Sequence, residues 1–260
     1  MAPDLHAAFA ASTSTPVGDR ADFLRAVDRL PGLVPVRAAL RRAAPLEAGD
    51  TLVDAGCGLG LETARLAADH PATTVIGLDR DPDVLAAAGR QAPDLPNLRW
   101  RPGDVTALDL PPGTVDVVRT ERVLMYVSSL GDAVASIRSV LSAGGTYTGF
   151  ELDYGGTILP PVGLAPARID DLTDRLEQAL PQPWAGRLLP EALAAGGMAV
   201  TAVEPFAFGV DAPVWSRIVA DTLRAGSADA GPVEEWLTSV EAHAPFRAVF
   251  TGIHVTALRA

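Results

Sequence analysis

The 260-residue sequence contains no lysine: all 21 of its basic residues are arginine. That absence excludes Schiff-base chemistry, a Walker A phosphate loop and a Tyr-x-x-x-Lys dehydrogenase pair, each of which needs an ammonium group. Cysteine is almost as scarce. Cys57 stands alone, so neither an intrachain disulfide nor a cysteine-based zinc site can be built. No His, Asp or Glu run has the spacing of metal ligands, and no metal is expected. Positive charge is also short: the net charge is −11. A nucleic-acid binder needs a cationic footprint, so no nucleic-acid partner is expected. The same balance disfavours anionic membrane surfaces. No stretch has the charged start and apolar core of a signal peptide, and none is long enough to span a bilayer. The expectation is a cytoplasmic protein without a membrane partner.

What remains is globular in composition, with 48% hydrophobic and 20% charged residues. The length suits one large domain, or one domain with a sizeable insertion. The chain is organised around Val53-Asp54-Ala55-Gly56-Cys57-Gly58-Leu59-Gly60. The preceding run 51–53 is apolar and β-branched, and reads as a buried strand. Residues 61–69 read as a helix stopped by His70-Pro71. Glycine at 56, 58 and 60 lets backbone approach a ligand where a Cβ would intrude or forbid φ > 0. A dinucleotide turn would carry its third glycine where this chain has Leu61. Asp54, just before the turn, would repel a pyrophosphate and suit a cationic ligand. Cys57 within the turn reads as a small residue that fits, rather than a reactive thiol.

Downstream, 73–79 reads as a second strand ending in Asp79. Asp81-Pro82 then opens a helix, aspartate at the N-cap and proline in the first turn. Asp79, with Arg80 beside it, lies about twenty residues beyond the glycine turn, where an acid meets ribose hydroxyls in nucleotide-binding βαβ units. Strands are expected at 97–101, 115–119 and 146–152. A helix over 131–141 is expected to close on the Gly144-Gly145 pair.

The glycine run, with the acids that follow it in order, resembles motif I of the class I S-adenosylmethionine-dependent methyltransferases. The run Val115 to Leu124 is similar to that family's segment after strand 4, especially in bacterial small-molecule methyltransferases. The resemblance covers roughly 45–205. It implies a Rossmann-like α/β fold with a seven-stranded, mostly parallel sheet, one antiparallel edge strand, helices on both faces and helical lid insertions. It implies S-adenosylmethionine as cofactor and S-adenosylhomocysteine as product. Asp54, Gly56, Cys57, Gly58, Gly60, Asp79 and Arg80 would then hold the cofactor. Asp104 and Val105 would meet the adenine, and the backbone at Thr120 and Glu121 the methionine end. The group often carries Gln-His after the leucine. This chain has Met125-Tyr126 instead, so a possible histidine base is absent.

Where the acceptor must lose a proton, a base is needed. Tyr126, Glu151 and Asp153 are the expected catalytic residues, since they sit where strands 4 and 5 end. His243 and His254 read as structural. Domain 1–260 is expected as a helical cap (1–45), a cofactor core (46–156) and a substrate-side half (157–260). The segment 1–20 is expected to be mobile before a ligand binds. Two helices broken by Leu30-Pro31-Gly32 and Pro35 are expected over 21–44, one over 169–180 and one over 184–196. Helices over 214–225 and 233–242 are expected between two last strands, 199–206 and 248–258, paired antiparallel at the sheet edge. Trp184, Trp215, Trp236, Phe246 and Tyr154 are either lid aromatics, suggesting an apolar or ring-containing substrate, or plain core. The function expected is methyl transfer to a small-molecule acceptor, a bacterial secondary metabolite. The alternatives are a non-methylating reaction such as cyclisation on the same fold, and a nicotinamide-dependent oxidoreductase. The oligomeric state is not legible.

Overall fold

The computed structural model describes residues 17–159, 163–211, 231–242 and 247–260. The expected helix 214–225, together with His243, Trp215, Phe246 and most of the segment 1–20, lies outside them. The elements in order are α1 (Val17–Asp28), α2 (Leu33–Ala43), β1 (Thr51–Ala55), α3 (Leu61–Asp69), β2 (Thr74–Asp79), α4 (Pro82–Gln91), β3 (Leu98–Pro102) and β4 (Val115–Glu121). A 3-10 turn (Leu124–Tyr126), α5 (Leu130–Val140), β5 (Leu141–Ile158), α6 (Pro166–Gln178), α7 (Ala185–Ala195), β6 (Met198–Asp211), α8 (Gly231–Ala242) and β7 (Arg247–Arg259) complete the described chain.

All seven strands form one sheet in the order β3-β2-β1-β4-β5-β7-β6. Strands β3 to β5 pair in parallel, and β7 runs antiparallel to both β5 and β6. The one antiparallel strand is therefore β7. It lies one position in from the edge, and β6 is outermost. Neighbouring residues on a strand face opposite cores: Leu52 and Val117 pack with Leu66 and Val75, while Val53 and Val118 join the core that contains Leu33, Ile137 and Leu189. Helices thus cover both faces, as a buried parallel sheet requires.

Local chemistry explains most boundaries. Asp81 caps α4, its carboxylate accepting from the amides of Asp83 and Val84. Pro35 was expected to break a helix, yet it sits inside α2, in the first turn, where no intrahelical amide bond is lost. The Gly144-Gly145 pair does not cap α5. The helix ends at Val140, and Leu141 turns directly into extended backbone with φ −60° and ψ 140°. Leu141 is fully buried and pairs with Val115, so the sheet captures the chain before the glycines are reached. The glycines fall instead where the β4–β5 register shifts between Val115 and Val117, Gly144 at φ +76°. Strands β6 and β7 are longer than their apolar runs, because they pair with each other along Met198–Asp211.

Candidate active site

A cavity of about 200 Å³ opens beyond the C-terminal ends of the central strands, where the strand order reverses between β1 and β4. Such switch points are where open α/β sheets bind ligands. Helices α1 and α2 close its other side through Phe23, Val27, Leu30 and Leu33.

The glycine turn forms one wall. Gly56, Gly58 and Gly60 have φ of +79°, +54° and +64°. A Cβ on Gly56 would lie 2.4 Å from the Val123 side chain, and one on Gly60 2.1 Å from the Trp100 ring. The amides of Gly56 and Cys57 both donate to the Leu78 carbonyl at 2.7 and 2.9 Å, tying the turn to β2. Burial and the nearby Asp79 and Asp54 carboxylates push the Cys57 thiol well up, so it stays protonated. That matches a small filler better than a nucleophile.

Asp79 ends β2 against this turn. Its Oδ2 accepts from the Gly58 amide at 2.8 Å and its Oδ1 from the Asp81 amide at 2.9 Å. Desolvation raises its pKa, opposed by those two amides. A carboxylate has about four acceptor sites, so capacity remains on the cavity side. Asp104, at the same end, accepts from the amide and hydroxyl of Thr106 at 2.8 and 2.7 Å, both on Oδ1. Val105 and Arg80 line the cavity nearby.

A second wall is an alternating charge chain. Asp54 is buried and accepts from Thr63 Oγ1 at 2.6 Å and from Arg119 at 2.7 Å. Its charge is thus met by a guanidinium of the protein itself. Arg119 also pairs with Glu121. Glu121 is gripped by Arg37 of α2, and Arg37 reaches Asp28 of α1 at 2.9 Å. Asp28 in turn holds Arg65 of α3 at 2.8 Å. Burial would raise Glu121, but Arg119, Arg122 and Arg37 hold it well below the usual carboxylate range.

Of the expected cofactor residues, Asp54, Gly56, Cys57, Gly58, Asp79 and Arg80 line this one cavity, as do Asp104, Val105 and Glu121. Gly60 does not; it packs behind the turn against Trp100. The Thr120 side chain is fully buried, with Oγ1 2.8 Å from the Tyr147 hydroxyl. Of the expected catalytic residues only Tyr126 lines the cavity. Glu151 lies beneath it, accepting from Thr120 Oγ1 at 3.2 Å and the Val123 amide at 3.1 Å. Asp153 is bound to the Arg187 guanidinium at 2.8–2.9 Å. Neither lines the cavity, because side chains alternate along β5 and it is Leu152 and Tyr154 that line it. His254 is buried, with Nε2 3.0 Å from Thr148 Oγ1, as a core histidine. Trp236 is fully buried in the core, while Trp184 is partly exposed.

Sequence reasoning missed Arg37, Arg119, Arg122 and Trp100. Trp100 is placed by register, opposite Gly77, and lies over Gly60 and Gly77. Glycines at 60 and 77 are the only trace of it in the sequence.

Residues 53–148 match the protein family described as a methyltransferase domain. A trans-aconitate 2-methyltransferase of Azoarcus sp. (strain BH72) is 29% identical over 201 residues, 74% of this chain and 68% of that protein. The trans-aconitate 2-methyltransferase of Deinococcus radiodurans is 38% identical over 94 residues, 36% of this chain and 34% of its own length. An uncharacterised 37.1 kDa protein in transposon TN4556 of Streptomyces fradiae is 32% identical over 160 residues, 60% of this chain and 46% of that one. The chain thus spans less than half of the last two relatives. Among solved structures, a geranyl diphosphate methyltransferase in complex with GPP and sinefungin shares the fold at TM-score 0.56 and 22% identity, over 87% of this chain and 77% of that one. So does the (4+2)-cyclase SpnF, at TM-score 0.57 and 23% identity, over 86% and 80%.

The strand order and the switch-point cavity define the class I S-adenosylmethionine-dependent methyltransferase fold. Residues 53–148 match the methyltransferase-domain family, and one geranyl diphosphate methyltransferase of the same fold was solved in complex with S-adenosylmethionine. The residues present fit it: a turn that opens on the cavity through Gly56 and Gly58, an acid with acceptor capacity, and Leu61 in place of a pyrophosphate-binding glycine. Among the described residues no group of His, Cys, Asp and Glu could hold a metal ion, and no helix is long and apolar enough to cross a membrane.

Proposed function

We propose that this protein transfers the methyl group of S-adenosylmethionine to a small, largely apolar acceptor, a bacterial secondary metabolite. The observation that carries this is one continuous cavity with two unlike ends. One end is the glycine turn with Asp79 and Asp104. The other is walled by Met125, Tyr154, Phe208 and Phe250. The cofactor supplies an activated methyl on a sulfonium. The chain's task is to orient and to exclude water. Asp79 would hold the ribose, Asp104 and Val105 the adenine, and the backbone around Glu121 the methionine end. Helices α1 and α2 would shut the acceptor chamber through Leu30 and Leu33. Cap, core and substrate-side half act as one catalytic unit in this proposal. Tyr126 is the residue of the cavity wall best placed to take a proton if the acceptor must lose one.

Trans-aconitate, named for two relatives, is a tricarboxylate. Its three charges would match this apolar chamber poorly. The net charge of −11 argues for a dissolved small molecule in the cytoplasm over nucleic acid or an anionic membrane. The fold is shared with a cyclase, so turnover decides between methylation and another reaction. The test is incubation with S-adenosylmethionine and a fractionated bacterial small-molecule extract. S-adenosylhomocysteine with a product 14 mass units heavier supports methylation. Product without S-adenosylhomocysteine favours the non-methylating reading.

A further inference from the structure

Arg122 lines the cavity and is unlike Arg37 and Arg119, which line it too. Among the described residues it is the only non-glycine with a left-handed backbone, φ +59°. A side chain held at such an angle is strained, and strain of this kind gathers where a side chain must point in one direction. Arg37 spends Nε and both terminal nitrogens on Glu121 and Asp28. Arg119, whose Nε is also without a partner, spends both terminal nitrogens on Asp54 and Glu121. Arg122 has a single carboxylate contact, Nη2 to Glu121 Oε1 at 3.2 Å. Glu121 is already shared with the two other guanidinium groups. Arg122 Nε is buried and has no hydrogen-bond partner among the described residues.

A guanidinium carries five N–H donors; with Nε buried and Nη2 on Glu121, Nη1 is the nitrogen left to meet a carboxylate from the cavity. Arg122 keeps 18% of its side chain open where Arg119 keeps 5%, and it lines the cavity. Met125, Leu152, Phe208 and Phe250 add apolar wall to the same cavity.

We propose that Arg122 recognises a carboxylate on the acceptor, so that the substrate class is an apolar small molecule bearing one acid group. This rests on the cofactor reading of the neighbouring glycine turn. The rival occupant for Arg122 is the cofactor's own methionine carboxylate, and one experiment separates the two. S-adenosylhomocysteine is first titrated by calorimetry into wild-type protein, Arg122→Asn and Arg122→Lys. Octanoate and 3-phenylpropanoate, each against its neutral amide, are then titrated into the S-adenosylhomocysteine-loaded proteins. Asn tolerates the left-handed backbone, so Arg122→Asn should keep the melting temperature, which is recorded alongside.

The expected result is that the acids bind the loaded wild-type protein at least about tenfold more tightly than their amides, as a charge-assisted pair requires. Arg122→Asn abolishes that preference and Arg122→Lys keeps part of it, while S-adenosylhomocysteine affinity changes by less than about twofold. Acids and amides binding alike, or no acid binding at all, would overturn the proposal. So would a tenfold loss of S-adenosylhomocysteine affinity in Arg122→Asn, which assigns Arg122 to the cofactor. Wild-type protein that binds no S-adenosylhomocysteine would overturn the cofactor reading itself, and this proposal with it.

Discussion

Arg37 of α2 grips Glu121 at the end of β4 across 84 residues of chain, Nε and Nη2 each 3.1 Å from a separate carboxylate oxygen. This bidentate pair joins α2 to the sheet at the wall of the cavity. Both side chains are largely buried, 14% and 6% exposed, so the geometry is worth more than a surface contact. Removing one partner of a buried pair leaves a charge uncompensated.

Arg37→Met should therefore cost about 2–3 kcal/mol in urea unfolding, the lower part of the range for buried pairs, since Arg119 and Arg122 still face Glu121. It should also weaken S-adenosylmethionine binding, because α2 closes the cavity. Unchanged stability and unchanged affinity together would remove the pair's role as a latch.

Glu121 also sets an acid limit. Its folded pKa lies far below its unfolded value, so its contribution is complete above about pH 4.5 and is lost as pH falls further. Wild-type stability should drop below that pH. Arg37→Met should show a shallower drop there, read from unfolding midpoints across pH 3–6.

Glu151 works in the opposite sense. Burial raises it to about 7, opposed by the amides of Leu124 and Val123 and by the Thr120 hydroxyl. The neutral acid is favoured in the fold. Stability is thus full below pH 4.5 and falls as pH rises through about 7, by on the order of 3 kcal/mol in all. Glu151→Gln keeps an acceptor for the Val123 amide and removes the titration. It should be more stable than wild type at pH 8 and flat between pH 5 and 8. A wild-type profile already flat over that range would show that Glu151 does not titrate there.

Asp79→Asn puts an NH2 group against one of two amide donors, Gly58 or Asp81. S-adenosylmethionine affinity should fall roughly tenfold to a hundredfold, a loss of one or two strong hydrogen bonds. Retained affinity would move the ribose elsewhere.

Gly60→Ala combines a left-handed φ with overlap on the Trp100 ring. The expected cost is about 3 kcal/mol. The overlap and the angle can be separated. In Gly60→Ala/Trp100→Ala the loss should be about 1–2 kcal/mol smaller than the sum of the single losses, because the ring is gone and only the angle remains. Additive losses would mean that the ring yields freely.

The parts of this protein that were legible in its sequence are local. The glycine turn, the strand end at Asp79 and the Asp81-Pro82 cap each depend on a few adjacent residues, and the structure joins turn and strand end through the Gly58 amide on Asp79 at 2.8 Å and the Gly56 amide on the Leu78 carbonyl at 2.7 Å. The missed features are assembled across the sheet. Asp28, Arg37, Arg119 and Glu121 meet only because α1 and α2 fold back over β4. Asp54 was legible as an acid before the turn, but not as one already paired with Arg119. Glu151 and Asp153 failed as cavity residues because side chains alternate along a strand, and the phase of β5 was not readable from its composition. Gly144-Gly145 looked like a helix end, since a glycine pair after a helical run says nothing of which earlier residue the sheet will bury first.

The central claim is that the cavity between the glycine turn and the N-terminal cap holds S-adenosylmethionine and uses it. Isothermal calorimetry with S-adenosylmethionine and NAD on the full chain, followed by assay for S-adenosylhomocysteine in the presence of small-molecule acceptors, tests it most directly. The account predicts selective S-adenosylmethionine binding, lost in Asp79→Asn, and S-adenosylhomocysteine formed only when an acceptor is present. Binding of NAD instead, or of neither, would contradict it.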